Sequence, residues 1–378
     1  MKYLYIVLML CCLVSFPLMG AEDTDFEAEL DAELDDAFAA ELEETLRPAQ
    51  TSSGASLMPE MFIAFDLIFE SGLERSDNAP NQAQIREIEF GFNASIDPYF
   101  YGVVSVVLEN EGGEMIADLH ESYIRYSGLM RGLVLRAGKL FLDMGVMNTI
   151  HQHDRPFVDS PFVQREMFDF EAAADIGLDA SLVLHALPFY TRLSLGIFNG
   201  QVFGHAHTSG TPKKFPLITT RAETYFDIGE DAGVRLGANH LIRSLDREDG
   251  GLYHQQFGFD MTFRAFDRKE GGLLVLAEYW NKLHTTNNRR VHGMYLLGSW
   301  RFNTIYELGL RYDYLKVLEP VPVVPTRAVS GIATLKPSHF SYLRLQYTYQ
   351  DVPTTTGEEH LFKAQISFIL GAHPPHKF

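Results

Sequence analysis

From residue 58 onward the polarity of this chain alternates with a period of two, the repeat of a pleated strand with one face in an apolar medium. Met61, Ile63, Phe65, Leu67 and Phe69 share one face and Asp66 and Glu70 the other. Ile88, Phe90, Phe92, Ala94 and Ile96 oppose Glu87, Glu89, Asn93, Ser95 and Asp97. The pattern recurs to the last segment, where Phe362, Ala364, Ile366, Phe368 and Leu370 oppose Lys363, Gln365 and Ser367. A soluble sandwich would set the polar face in water and the apolar face on a second sheet. Here the segments often reach ten residues or more, and their polar faces carry ionised side chains of both signs. That is the dyad repeat of a membrane barrel, apolar toward lipid and polar toward the lumen.

Sixteen such segments fit between 58 and 371, and the connections between them alternate in length. Seven are short turns, such as Asp97-Pro98, Leu187-Pro188 and Asn303-Thr304; the intervening ones are mostly longer, and that at 143–172 is the longest. Short periplasmic turns opposite long outer loops are the habit of outer-membrane barrels. The fold class read from the sequence is therefore an all-β, transmembrane antiparallel barrel of about sixteen strands over 58–378, surrounded by outer-membrane lipid and lipopolysaccharide. A barrel this wide leaves an aqueous channel unless loops fold into it. Aromatics near segment ends, at Tyr99–Tyr101, Tyr279-Trp280 and Tyr342, Tyr347 and Tyr349, read as interfacial girdles.

Ahead of the barrel, Met1–Gly20 has the charged start and short apolar run of a secretory signal peptide. Residues 21–57 follow as an acidic segment and linker. Twelve of the chain's 50 acidic residues lie in 21–46, where Phe26, Leu30, Leu34, Phe38, Leu42 and Leu46 recur every fourth position among helix formers. This reads as a short acidic helix in the periplasm, either a self-associating arm or a solvated tether. The net charge of −19 argues against a nucleic-acid partner. The only cysteines are Cys11 and Cys12, which removes disulfide, zinc-finger and thiol chemistry from the barrel.

The inferred lumen face carries Arg136, Arg192, Arg264, Arg311 and Arg344 against Glu87, Glu89 and Asp118, with acids dominating the first strands and arginines denser later. Two arrangements fit: a transverse field across a water channel, or local pairing that solvates the wall. In the longest connection, aromatics and prolines between 156 and 168 are costly to leave in water, so Thr149–Gln164 is expected to fold inward and narrow the channel. Phe157, Phe162 and Val163 would then pack on the wall while His151, His153, Asp154 and Arg155 face the solute. His151 and His153 with His205 and His207 of the next outer loop form a candidate metal set, and His373 and His376 a second one. Neither a nucleophile elbow nor a His-Glu-x-x-His helix accompanies them, so no enzyme activity and no resident cofactor are expected.

The stretch Glu121-Ser-Tyr-Ile-Arg-Tyr, then Arg136-Ala-Gly-Lys139 and His151-Gln-His-Asp-Arg-Pro-Phe-Val-Asp-Ser-Pro161, resembles the phosphate-selective porin O/P-like group. The ending Gly371-Ala-His-Pro-Pro-His-Lys-Phe378 is similar to tails of related zinc-associated outer-membrane proteins. The resemblance implies a sixteen-stranded, usually trimeric, passive diffusion channel for small hydrophilic solutes or ions. A phosphate-selective pore calls for a lysine-rich constriction, and the inferred lumen here has few lysines. A metal-uptake protein and a structural, adhesin-like barrel are the alternative readings.

Overall fold

The computed structural model describes residues 59–72, 81–111, 113–168, 172–200, 216–229, 231–244, 253–267, 271–284, 289–319, 322–352 and 357–371. The expected signal peptide, the acidic helix, His205, His207, His373 and His376 lie outside the described residues. Sixteen strands follow one another: β1 (Glu60–Gly72), β2 (Asn81–Ser95), β3 (Phe100–Glu111), β4 (Glu114–Tyr126), β5 (Leu133–Phe141), β6 (Ala174–Val183), β7 (Tyr190–Phe198) and β8 (Leu217–Asp227). The second half is β9 (Ala232–Ser244), β10 (Tyr253–Asp267), β11 (Gly271–His284), β12 (Arg289–Arg301), β13 (Tyr306–Glu319), β14 (Thr326–Ser338), β15 (Ser341–Val352) and β16 (Gly357–Gly371). Each pairs antiparallel with its neighbours in sequence, and β16 closes on β1 with Asp66 opposite Ser367 and Phe65 opposite Phe368. The sheet therefore closes on itself and every strand has ladder partners on both sides, although β4 meets β5 only over Ser122–Tyr126.

Alternation turns one set of side chains outward and the other in. Outside, Leu178, Phe259, Leu296 and Leu310 are exposed around the circumference. A continuous apolar exterior of this kind is stable in hydrocarbon and not in water. No helix among the described residues is long and apolar enough to cross a membrane; the apolar exterior belongs to the strands. The outward aromatics Tyr99, Phe189, Phe302, Tyr306 and Phe340 collect at the end with the shorter turns. Trp280 and Tyr342, read from the sequence as girdle residues, instead face inward. Trp280 is buried with Phe168 across its ring, centroids 4.8 Å apart, and the Tyr342 hydroxyl donates to the His153 carbonyl. Their parity along the strand, not their nearness to its end, decides the side on which they lie.

The wall is interrupted where β5 ends. There the chain leaves the sheet and runs through 142–173 as two short 3₁₀ turns (Met147–Thr149 and Gln152–Asp154) and a helix α1 (Phe162–Phe168) before re-entering as β6. Gly138 makes the preceding close approach possible. Its φ is +142°, and a Cβ there would collide with the Ser122 carbonyl of β4. The hydrophobic core is found inside the barrel: Met144, Met147, Phe157, Val163, Met167 and Phe168 of this loop pack with Leu217, Leu241, Leu276, Trp280, Tyr295 and Leu297 of the wall.

Candidate functional site

The loop is closed at its neck by one side chain. Asn148 Nδ2 donates to the carbonyls of Leu142 (2.8 Å) and Ala173 (3.0 Å), and its Oδ1 accepts from the Ala173 N–H (2.7 Å). From there the wall supplies partners to loop backbone that has no ladder of its own, as buried amides require. Glu278 Oε1 on β11 accepts from Val146 and Met147 at 3.0 and 2.9 Å, and Asn239 Oδ1 on β9 accepts from Gly145 at 3.0 Å. Gln346 on β15 accepts from Val158 (2.9 Å) and Gln256 on β10 donates to the Met167 carbonyl (2.9 Å). Arg344 Nη1 donates to the Arg155 carbonyl at 2.6 Å, and Arg86 Nη1 to the Val158 carbonyl at 2.5 Å.

Charge fixes the far end. Asp159 meets Arg311 of β13 at 2.8 Å and Lys363 of β16 at 3.2 Å. Burial alone would raise the pKa of its carboxyl; Lys363 and Arg311 reverse that and hold it well below the ordinary carboxylate range. Asp143, at the loop's start, is depressed in the same way, with Arg192 (2.7 Å) and Arg221 (3.8 Å) overcoming burial. Glu166 of α1 meets Lys282 and Arg289, both at 2.5 Å.

The histidines lie against the acidic wall. His153 Nδ1 is 2.9 Å from Glu87 Oε1 and its Nε2 is 3.4 Å from Asp154, while Glu87 also accepts from the His153 N–H at 3.2 Å. His151 reaches Glu89 (3.2 Å) and Glu121 (3.5 Å). Burial would lower both imidazole pKa values. The carboxylates of Asp154, Glu87 and Glu89 instead push His153 up to about 10, and Glu89 and Glu121 raise that of His151.

Several residues therefore sit differently from the sequence-based expectation. Phe157 and Val163 pack inside the barrel, Phe157 edge-on to Tyr295 and under the Arg311 guanidinium, whereas half-buried Phe162 carries Arg165 over its ring. His153 and Arg155, expected to face solute, are 0 % and 1 % exposed and point into protein. Arg155 ties its own loop together through the Ile150 carbonyl (3.1 Å) and Ser160 Oγ (2.7 Å). The arginine-against-acid field also resolves into local pairs: Arg136 with Asp179, Arg192 with Glu223, and Arg311 with Asp313. Desolvated charges this close draw partners from the adjacent strand or the loop. Arg264 lies with Arg301 and Glu307 around a hollow at the turn end of the lumen.

Several anchors escaped the sequence reading: Asn148, Asn239, Gln256, Gln346, Asp143 and Asp159. The four amides sit among charged residues whose signal is louder, and only their place on polar faces or in the long connection marked them. Each of the sixteen strands has at least one inner-face side chain that is buried, among them Asp66, Leu140, Gln256, Trp280 and Gln346.

No sequence-family model matches the chain. An uncharacterised protein of Aquifex aeolicus (strain VF5) is 25 % identical, covering 75 % of this chain and 68 % of its own. Among solved structures, the trimer form of OmpT, an outer-membrane protein of Vibrio cholerae, matches 83 % of this chain and 99 % of its own with TM-score 0.55 and 10 % identity. The outer-membrane channel DcaP of Acinetobacter baumannii matches 86 % and 100 % with TM-score 0.56 and 11 % identity. An anion-selective porin from Comamonas acidovorans matches 82 % and 99 % with TM-score 0.57 and 10 % identity. The fold is that of the outer-membrane porins, and with its apolar exterior it locates this barrel in the outer membrane.

Proposed function

We propose that this protein is a passive outer-membrane channel for small hydrophilic solutes or ions, not an enzyme, in which the loop at 142–173 sets the constriction. The observation that carries the reading is the position of that loop: a polar-walled closed barrel has taken an internal segment into its own lumen and anchored it on β2, β9, β10, β11, β13 and β15. The trimer form among the similar structures supports a homotrimer. Kinship to the phosphate-selective porin O/P-like group is part of the proposal only for the barrel and the motif at 151–161. The acids along β1 to β4 favour cations over phosphate beside that wall.

Planar-bilayer recording tests the reading. Wild-type protein should conduct in small steps, and deletion of 151–163 should enlarge the unit step clearly while the heat-modifiable folded band persists on unboiled gels. An unchanged step in a folded deletion variant would remove the loop from the solute path.

A further inference from the structure

Outside the loop's own anchors, the inner face of the first four strands holds one more group of donors. We infer that Glu109, Asp118 and His120 form a binding site for a divalent transition cation such as Zn²⁺, in the outer part of the lumen ahead of the loop. The β3–β4 register sets Asp118 opposite Val107 and Glu109 opposite Ile116, so the two carboxylates are diagonal neighbours on one face. A bulge opposite Ser105 and Val106 leaves His120 outside the pairing, and its imidazole turns to the same side. One donor atom from each of the three residues lies within 4.8 Å of the others. Donors around a tetrahedral zinc are about 3.4 Å apart, given bonds of about 2.1 Å, so small rotamer changes close the set.

The chemistry of the donors points to the same ligand class. An imidazole selects zinc, cobalt or nickel over the hard cations that carboxylates alone would take, and the two carboxylates cancel the charge. Access is from one side: the Asp118 side chain is 21 % exposed and Glu109 half-buried, while His120 is buried and fixed. The field still suits a cation: Asp66, Glu87, Glu89, Glu109, Asp118 and Glu121 line this wall against Arg86, Lys139 and the imidazoles of His151 and His153. A side-chain cation already occupies part of the position: Lys139 Nζ is 3.3 Å from Asp118 Oδ2, and a metal would displace it. His120 also stacks on His151 at 5.9 Å and His151 on His153 at 5.8 Å, so the site heads a column of imidazoles leading into the loop. His151 and His153 are engaged as loop-to-wall pairs and are not assigned as ligands.

Placing the site in a solute path rests on the channel reading; binding itself does not. The full chain, folded in detergent, is titrated with Co²⁺ and the cobalt displaced with Zn²⁺. A d–d absorption saturating at one cobalt per chain and erased by zinc is expected. E109Q/D118N and, separately, H120N should weaken cobalt binding by about tenfold or more, about 1.4 kcal/mol. H292N, whose imidazole lies on the outer face of β12, should bind as wild type. Heat-modifiability confirms that each variant is folded. No saturable signal, or one that both lumen variants retain, overturns the site. Bilayer recording in metal-free buffer separates the two readings: a silent protein that binds cobalt keeps the site and loses the channel, and a conducting protein without the signal does the reverse.

Discussion

His153 shows how a single residue can set the state of the lumen. Its ring and its backbone N–H both address Glu87, and its Nε2 faces Asp154, so the imidazole is a charged rivet between loop and wall. Its pKa is raised to about 10 when the loop is docked, against an ordinary value near 6.5 when it is free. A raised pKa contributes to docking fully below about 6.5, and the contribution disappears as pH rises through about 10. Wild-type conductance should therefore increase as the bathing solution is taken from neutral pH past about 10. His153→Gln keeps one donor for Glu87 but cannot change charge, and it should abolish that step. A pH response identical in the two proteins would assign the transition to other groups.

At the scale of the element, the long loop behaves as a small domain whose backbone hydrogen bonds are supplied by the barrel. Its neck depends on Asn148, and Asn148→Ala would orphan the Leu142 carbonyl and the Ala173 N–H, each at about 1–3 kcal/mol. The expected outcome is a barrel that still migrates as a folded band but whose loop trypsin cleaves after Arg165, a bond the wild type protects; the Arg155–Pro156 bond resists trypsin in either state. Equal protection in the variant would mean that the wall contacts alone hold the loop. The strands were legible because lipid on one side and lumen on the other impose a period of two that persists on either side of the bulges at Arg86 and His120. That the loop folds inward was legible from Phe157, Phe162 and the prolines around them. The direction of each loop side chain was not. His151 and His153 are two apart in sequence, and only the 3₁₀ turn from Gln152 to Asp154 brings both rings onto the Glu87–Glu89 wall. Gln346 and Gln256 were invisible for the converse reason: an amide on a polar strand face has the same pattern whether it meets water or a loop.

For the whole molecule, two solvents meet at one sheet, and the cost of a charge should depend on face and depth. Leu296 is exposed at the middle of β12 and Met61 is exposed near the end of β1, both on the outside, whereas Arg311 and Arg344 are buried on the inside without loss of partners. An arginine at the bilayer midplane costs about 2–4 kcal/mol and near the interface about 0–1 kcal/mol. Leu296→Arg should thus lower the stability of the barrel in vesicles by the larger amount and Met61→Arg by the smaller, measured as the shift in denaturant midpoint at constant slope. The depth dependence separates a lipid-facing surface from a merely apolar one: packing lost at a protein–protein contact would follow the area removed, and Met61, the more exposed of the two, has no reason to be the milder site on that account. Equal losses at both positions would place the Leu296 face against another subunit instead of against lipid.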